Sequence, residues 1–433
     1  MLKVNAFDAS SVTLPPEERA LVERRQRLLG PAYQLFYDTP LHLVRGQGAH
    51  VFDRDGRRFI DLYNNVPSVG HCHPKVVEAL ARQAAELNTH TRYLHEGVLD
   101  YAERLLATMP AELAQTMFTC TGSEANDLAL RIARDFTGGT GVIVTGYAYH
   151  GITASIAALS PSMGDYVPVD RDARVVAAPL HSSGSPETVG RTFADGVRTA
   201  LADMRRHGIR PAALLVDTLF TSDGVFADPP GFLAEAVEAV REAGGLFIAD
   251  EVQPGFGRTG HHFWGFERHG LVPDLVTMGK PMGNGHPLAG VAYRPHLAQR
   301  FGRNAAYFNT FGGSPVSAAV GTAVLDVIEQ EGLQANAARV GGILKEGLAS
   351  LALQASSLGD VRGAGLFIGV DVVDPDSGAP DATRARGLIN ALRDNGVLIG
   401  ASGPHSNTLK IRPPLCLTSQ DAREFLATLA GLL

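Results

Sequence analysis

Two stretches decide the reading of this chain: LFIADEV (246–252) and DLVTMGKP (274–281). Both are short and nearly all apolar, the length and character of a strand buried on both faces. Asp250 closes the first run and Lys280 follows the second. Most lysines are solvated surface groups, and an acid at a strand end is often a cap. An acid inside so apolar a run is not a surface acid, and a lysine directly after a buried strand can lose its water and its proton.

Further runs of the same kind lie on either side. GVIVTG (141–146), AALLVDTLF (212–220) and LAGVAYRP (288–295) read as strands. PKVVEALARQAAELN (74–88), DPPGFLAEAVEAVREAGG (228–245) and SPVSAAVGTAVLDVIEQEG (314–332) have helical period. Continuous apolar strands alternating with helices predict an α/β fold, a mostly parallel sheet between helices. The tail changes character, with VRGAGLFIGVDVV (361–373), a helix at 381–396, LKIRPPL (409–415) and a closing helix, as in a smaller α+β domain. The expected division is 1–73 as an N-terminal arm and part of the small domain, 74–315 as the large domain, and 316–433 as the C-terminal small domain. Within the arm, PEERALVERRQRLLG (16–30) reads as a helix started by prolines.

A chain of 433 residues, 45% hydrophobic and 19% charged, has ample material for a globular core. Its net charge of −7 argues against nucleic acid and anionic membranes as partners. Three scattered cysteines make no disulfide framework, and the N-terminus lacks a secretory h-region, so the expected location is cytoplasmic.

Around the acid and the amine stand other groups able to act. In TCTGSEANDLALRIAR (119–134) a turn enters an amphipathic helix, offering Thr121, Gly122 and Ser123 to an anion, though an ordinary N-cap reads the same way. Tyr149 and His150 follow the 141–146 strand, at the edge where open α/β sheets bind ligands. In ADEVQPGFGRTG (249–260), Val252 can press on a flat ring and Gln253 can bond its hydroxyl. NTFGGSP (309–315) presents Thr310 as a second phosphate donor, and Arg412 in LKIRPPL suits a substrate carboxylate. Tyr63, Val66 and Pro67 are candidates for the pocket wall. GHCHP (70–74) lacks a second ligand cluster and reads as a turn, so no metal is expected. Together these point to pyridoxal 5'-phosphate, which needs a carboxylate to keep its pyridine nitrogen protonated and a lysine to form a Schiff base and carry protons.

TGSEAND, YHG, ADEVQPGFGRTG, MGKPMGNGHPLAG, NTFGGSP and IRPP, in this order, resemble the class III aminotransferases, pyridoxal phosphate enzymes of fold type I. NNVPSVGHCHP, NTHTRYLH, YAERL and FNTFGGSPVS are similar to the branch that includes ethanolamine-phosphate phospho-lyases. The resemblance implies Lys280 as the Schiff base lysine, Asp250 on the pyridine nitrogen and Tyr149 on the ring. It also implies a homodimer, with Gly122 and Ser123 holding the phosphate in one subunit and Thr310 reaching it from the other. Two positions bear on the reaction. Asp217 and Thr218 replace the Glu-Pro pair of many members, which argues against a glutamate that masks the substrate arginine. Arg412 matches the carboxylate arginine of aminotransferases, where animal phospho-lyases tend to have lysine. The expectation is therefore transamination from an amine donor to a keto acid acceptor such as pyruvate, with elimination from a phosphorylated amine as the alternative.

Overall fold

The computed structural model describes residues 5–10, 12–179 and 185–433. Its large sheet has seven strands, in the order Gln115–Thr119, Ala289–Tyr293, Leu275–Met278, Leu246–Asp250, Pro211–Asp217, Gly141–Thr145 and Ala173–Val176. From Leu275–Met278 onward the neighbours are parallel, whereas Ala289–Tyr293 runs antiparallel to both of its partners.

Alternation along the strands explains why the apolar runs are unbroken. Phe247 and Ala249 enter one core while Leu246 and Ile248 enter another. Successive strand residues point to opposite faces, and here both faces are dry. The Gly122–Thr137 helix covers one face with Ala125, Leu128, Ala129 and Ile132; Val237 and Val240 of the Ala234–Glu242 helix join the opposite core.

Several boundaries differ from the sequence reading. The 228–245 segment is helical over Ala234–Glu242. The 212–220 run leaves the sheet at Asp217, because that carboxylate accepts the N–H groups of Leu219 at 2.9 Å and Thr221 at 3.1 Å and turns the chain. Gln115–Thr119 and Ala173–Val176 are strands that the apolar pattern did not reveal. Both lie at sheet edges, where one side needs no apolar cover.

A second sheet joins Leu358–Ala364, Phe367–Val372, Thr408–Ile411 and Gly400–Ser402, all antiparallel. A third pairs Arg58–Asp61 in parallel with Val397–Leu398, so a strand from near the start is completed by the tail. The Thr408–Ile411 strand leads straight into Arg412, whose N–H bonds to Leu62 O at 2.8 Å. Among the described residues no helix is long and apolar enough to cross a membrane.

Candidate active site

Asp250 and Asp217 sit side by side in register at the carboxyl ends of parallel strands, and Lys280 follows the next strand. These ends open into a cavity of about 350 Å³ that Thr121, Gly122, Ser123, Tyr149, Asp250 and Lys280 help to line. The acid and the amine, far apart in sequence, share one chamber.

Asp250 is 3% exposed and is held from three sides. Its Oδ2 lies 2.7 Å from His150 Nδ1 and accepts from Asn126 Nδ2 at 2.9 Å, while Oδ1 accepts the Val252 N–H at 3.1 Å. Asn126 is oriented in turn, since Thr277 Oγ1 donates to its Oδ1 at 2.7 Å and its Nδ2 also reaches His150 O. His150 therefore supports the acid from behind. Burial first, and the nearby Arg412 charge second, bring the Lys280 amine down to about 8 against the opposing pull of Asp250 and Asp217.

At the other end, Thr121 caps the Gly122–Thr137 helix. Its Oγ1 accepts the Glu124 N–H at 3.1 Å, and Glu124 Oε2 accepts the N–H groups of Thr121 and Cys120, both at 2.9 Å. Side chains are excluded around this turn: a Cβ on Gly122 would lie 2.9 Å from Val252 Cγ2, and one on Gly151 would lie 2.5 Å from Ser123 Oγ. Helix N-terminal amides have no partner within the helix and attract anions. A helix N-terminus that keeps side chains away, a buried acid and a lysine of lowered pKa around one cavity fit the phosphate, ring nitrogen and aldehyde of pyridoxal 5'-phosphate.

An inner chamber continues from Lys280 and Tyr149 to Tyr63, Gln253, Lys410 and Arg412. The Arg412 Nη1 donates to Gln253 Oε1 at 2.7 Å and Asn65 Oδ1 at 3.0 Å, and its guanidinium lies 4.8 Å from the Tyr63 ring centre. Gln253 Nε2 donates to Thr221 Oγ1 at 2.6 Å, and the residue lines the outer cavity as well. Asp217 does not bond to Arg412, because Leu219 and Thr221 take its oxygens. Burial and the neighbouring Asp250 charge push the Asp217 pKa up.

Lys410 was not singled out in the sequence. It is 1% exposed, and its Nζ has no hydrogen-bond partner among the described residues. Burial first, and Arg412 second, push its pKa well below the usual lysine value, with Asp217 opposing. A signal was available, since positions two apart on a strand share a face and Lys410 precedes Arg412 by two. Asn126 was quoted in TGSEAND, but its bond to Asp250 joins a helix to a strand end and has no local signature.

Val66 lines the outer cavity as expected. Pro67 lies outside both linings; it is buried in a turn closed by the Gly70 N–H on Pro67 O. Thr310 is exposed on the segment before the Pro315–Gln330 helix and does not line the cavity of its own chain. In GHCHP, Cys72 has a φ of 52°, and His71 Nε2 lies 2.8 Å from Asp61 Oδ2 while His73 Nε2 lies 3.1 Å from Glu331 Oε1. These are turn contacts, and no metal-ligating cluster is found among the described residues.

Comparison with known proteins agrees with this geometry. Residues 35–433 match the family described as Aminotransferase class-III. The chain is 41% identical to an alanine-glyoxylate aminotransferase 2-like protein of Drosophila melanogaster, over 94% of this chain and 85% of that one. It is 37% identical to ethanolamine-phosphate phospho-lyase homolog 1 of Caenorhabditis elegans, over 95% and 93%. Among solved structures, a phospholyase from Arthrobacter in complex with phosphoethanolamine superposes with a TM-score of 0.92 at 42% identity, covering 95% of this chain and 98% of the other. The cofactor is pyridoxal 5'-phosphate. Motifs, fold and relatives agree, and the chain belongs to the class III aminotransferase family of fold type I pyridoxal phosphate enzymes.

Proposed function

We propose that the protein is a phospho-lyase, which removes phosphate and ammonia from a small phosphorylated amine such as phosphoethanolamine. The observation that carries this reading is Lys410, buried and without a hydrogen-bond partner beside Arg412 in the chamber that contains Lys280. One guanidinium matches a carboxylate, whereas a phosphate dianion calls for more positive charge. The likeness to the Arthrobacter phospholyase, solved with phosphoethanolamine, supports the same substrate class.

When bound, pyridoxal phosphate supplies an electron sink for the carbon next to the substrate nitrogen. Thr121, Gly122 and Ser123 hold its phosphate, Tyr149 and Val252 enclose its ring, and Asp250 holds a proton at its ring nitrogen. His150 and Asn126 keep that carboxylate in place. Lys280, free and neutral, takes the proton from the nitrogen-bearing carbon. The C–O bond of the adjacent carbon then breaks with its electron pair on oxygen, and phosphate leaves against Lys410 and Arg412. One water is consumed overall, and phosphoethanolamine yields acetaldehyde, ammonia and phosphate. A second copy of the chain completes the phosphate site through Thr310, which makes the working unit a homodimer.

A second reading is transamination to a keto acid, with Arg412 gripping the carboxylate. The anchoring of Arg412 by Asn65 and Gln253 favours it, as do relatives named aminotransferases. Kinetics of the wild-type and Lys410→Met proteins separate the two. The lyase reading predicts phosphate release by the wild type and a KM for phosphoethanolamine raised at least about tenfold in the variant, the loss of one charge-assisted hydrogen bond. Turnover of phosphoethanolamine without phosphate release contradicts it.

A further inference from the structure

Polar atoms without partners are rare in a folded interior, and several that gather in one cavity mark a place for a polar ligand. Among the described residues, four of the inner chamber carry such an atom: Asn5 Oδ1, Ser162 Oγ, Lys410 Nζ and Arg412 Nε. All four residues are more than nine-tenths buried. Lys410 lies on the Thr408–Ile411 strand and Arg412 directly after it, but the other two arrive from separate parts of the chain.

Asn5 belongs to an N-terminal strap laid over the chamber. Ala6 forms an antiparallel bridge with Phe36, the Phe7 N–H bonds to Leu35 O, and the Tyr37 N–H bonds to Asn5 O, both at 2.9 Å. The strap is fixed from below. Arg386 Nη2 donates to Ala6 O at 3.4 Å and pairs with Asp38 at 2.6 Å, and Tyr37 Oη donates to Ile399 O at 3.1 Å. Ser162 sits in the short Pro161–Met163 turn, where its N–H bonds to Ala148 O at 3.2 Å. Both side chains are therefore placed by backbone contacts, with Asn5 Oδ1 and Ser162 Oγ left for something else.

We infer that Asn5 and Ser162 complete a phosphoryl-binding subsite with Lys410 and Arg412, and that they set the preference for a phosphorylated amine. The inference rests on the lyase reading for the identity of the ligand. A phosphoryl dianion has three terminal oxygens, all acceptors, and needs donors on more sides than a planar carboxylate does. The two cations approach from one strand. The Ser162 hydroxyl adds a neutral donor, and the Asn5 amide, turned half a revolution about its last bond, presents its NH₂ from the strap. The N-terminal segment then acts as part of the specificity pocket.

The test uses the holoenzyme and its absorbance change to measure affinity for phosphoethanolamine and for ethanolamine, with released phosphate counted in parallel. The variants are Asn5→Ala, Asn5→Asp and Ser162→Ala, each checked for the wild-type cofactor band and melting temperature. The subsite predicts that the ratio of the two affinities falls about tenfold in each alanine variant, and further in Asn5→Asp, where a carboxylate faces the dianion. Ratios unchanged in well-folded variants, while the wild type releases phosphate, overturn the inference and leave the lyase reading standing. A shifted ratio with no phosphate release by the wild type upholds the subsite and removes the lyase. A wild type that binds both amines equally overturns the subsite, and the parallel phosphate count decides the lyase reading by itself.

Discussion

Lys280 has to be a neutral amine near neutral pH, and an exposed lysine would hold its proton. Burial brings its pKa to about 8. The neutral form is the nucleophile, so the rate at which cofactor-free protein takes up pyridoxal phosphate rises with pH and levels off above about 8. A rate that still climbs toward the ordinary lysine value of 10.5 contradicts this. On the lyase reading Lys410 makes the opposite demand, a cation where packing does not want one. Its folded-state pKa lies below the 10.5 of the free side chain, so between those two values the unfolded chain binds more protons, and this group's contribution to stability falls as pH drops below 10.5. Lys410→Met removes the buried charge. Its melting temperature rises by about 2–4 °C at pH 7, and the gain shrinks as pH rises toward 10.5. A lower melting temperature across this range contradicts the account of Lys410 as an unpaired cation.

Among the elements, the Gly122–Thr137 helix carries the clearest division between stability and function. Thr121 both caps the helix and faces the cavity. Thr121→Ala breaks the reciprocal cap and costs about 1 kcal/mol, read as a lower urea midpoint of the cofactor-free protein. An unchanged midpoint sinks the capping argument. The elements nearest the site were also the most legible in sequence. Leu246–Asp250 and Leu275–Met278 announce themselves because dry packing on both faces leaves Asp250 and Thr277 as the polar positions in the two runs, and both take part in the site. Gln115–Thr119 escaped notice because an edge strand keeps polar residues on one side. Asp250, Lys280 and the Gly122–Ser123 turn were readable because their chemistry and strand-end positions are local. The Asn126 bond to Asp250 and the Asn5 contact with the chamber were not, since each joins segments more than 100 residues apart.

The whole molecule shows apolar surface that one chain leaves uncovered. Leu94 is 98% exposed and Phe311 is 73% exposed, and the Pro16–Leu29 helix buries no residue in its own chain. Surfaces of this kind mark interaction sites. The homodimer reading predicts a solution mass of about twice 45.9 kDa and loss of cofactor on dilution to monomers. Thr310→Ala weakens cofactor retention about tenfold in the dimer, the loss of one hydrogen bond to a charged group. A monomer that holds its cofactor tightly contradicts both the dimer and the shared site.

The central claim is that the chamber holding Lys410 and Arg412 expels phosphate rather than serving a transfer of nitrogen to a keto acid. The direct measurement is a product count from phosphoethanolamine with no keto acid present, taking phosphate, ammonia and acetaldehyde together over many turnovers. The account predicts one of each per substrate consumed, with catalysis continuing unaided. A single turnover that stops without phosphate and resumes only when pyruvate is added would contradict it and make the protein an aminotransferase.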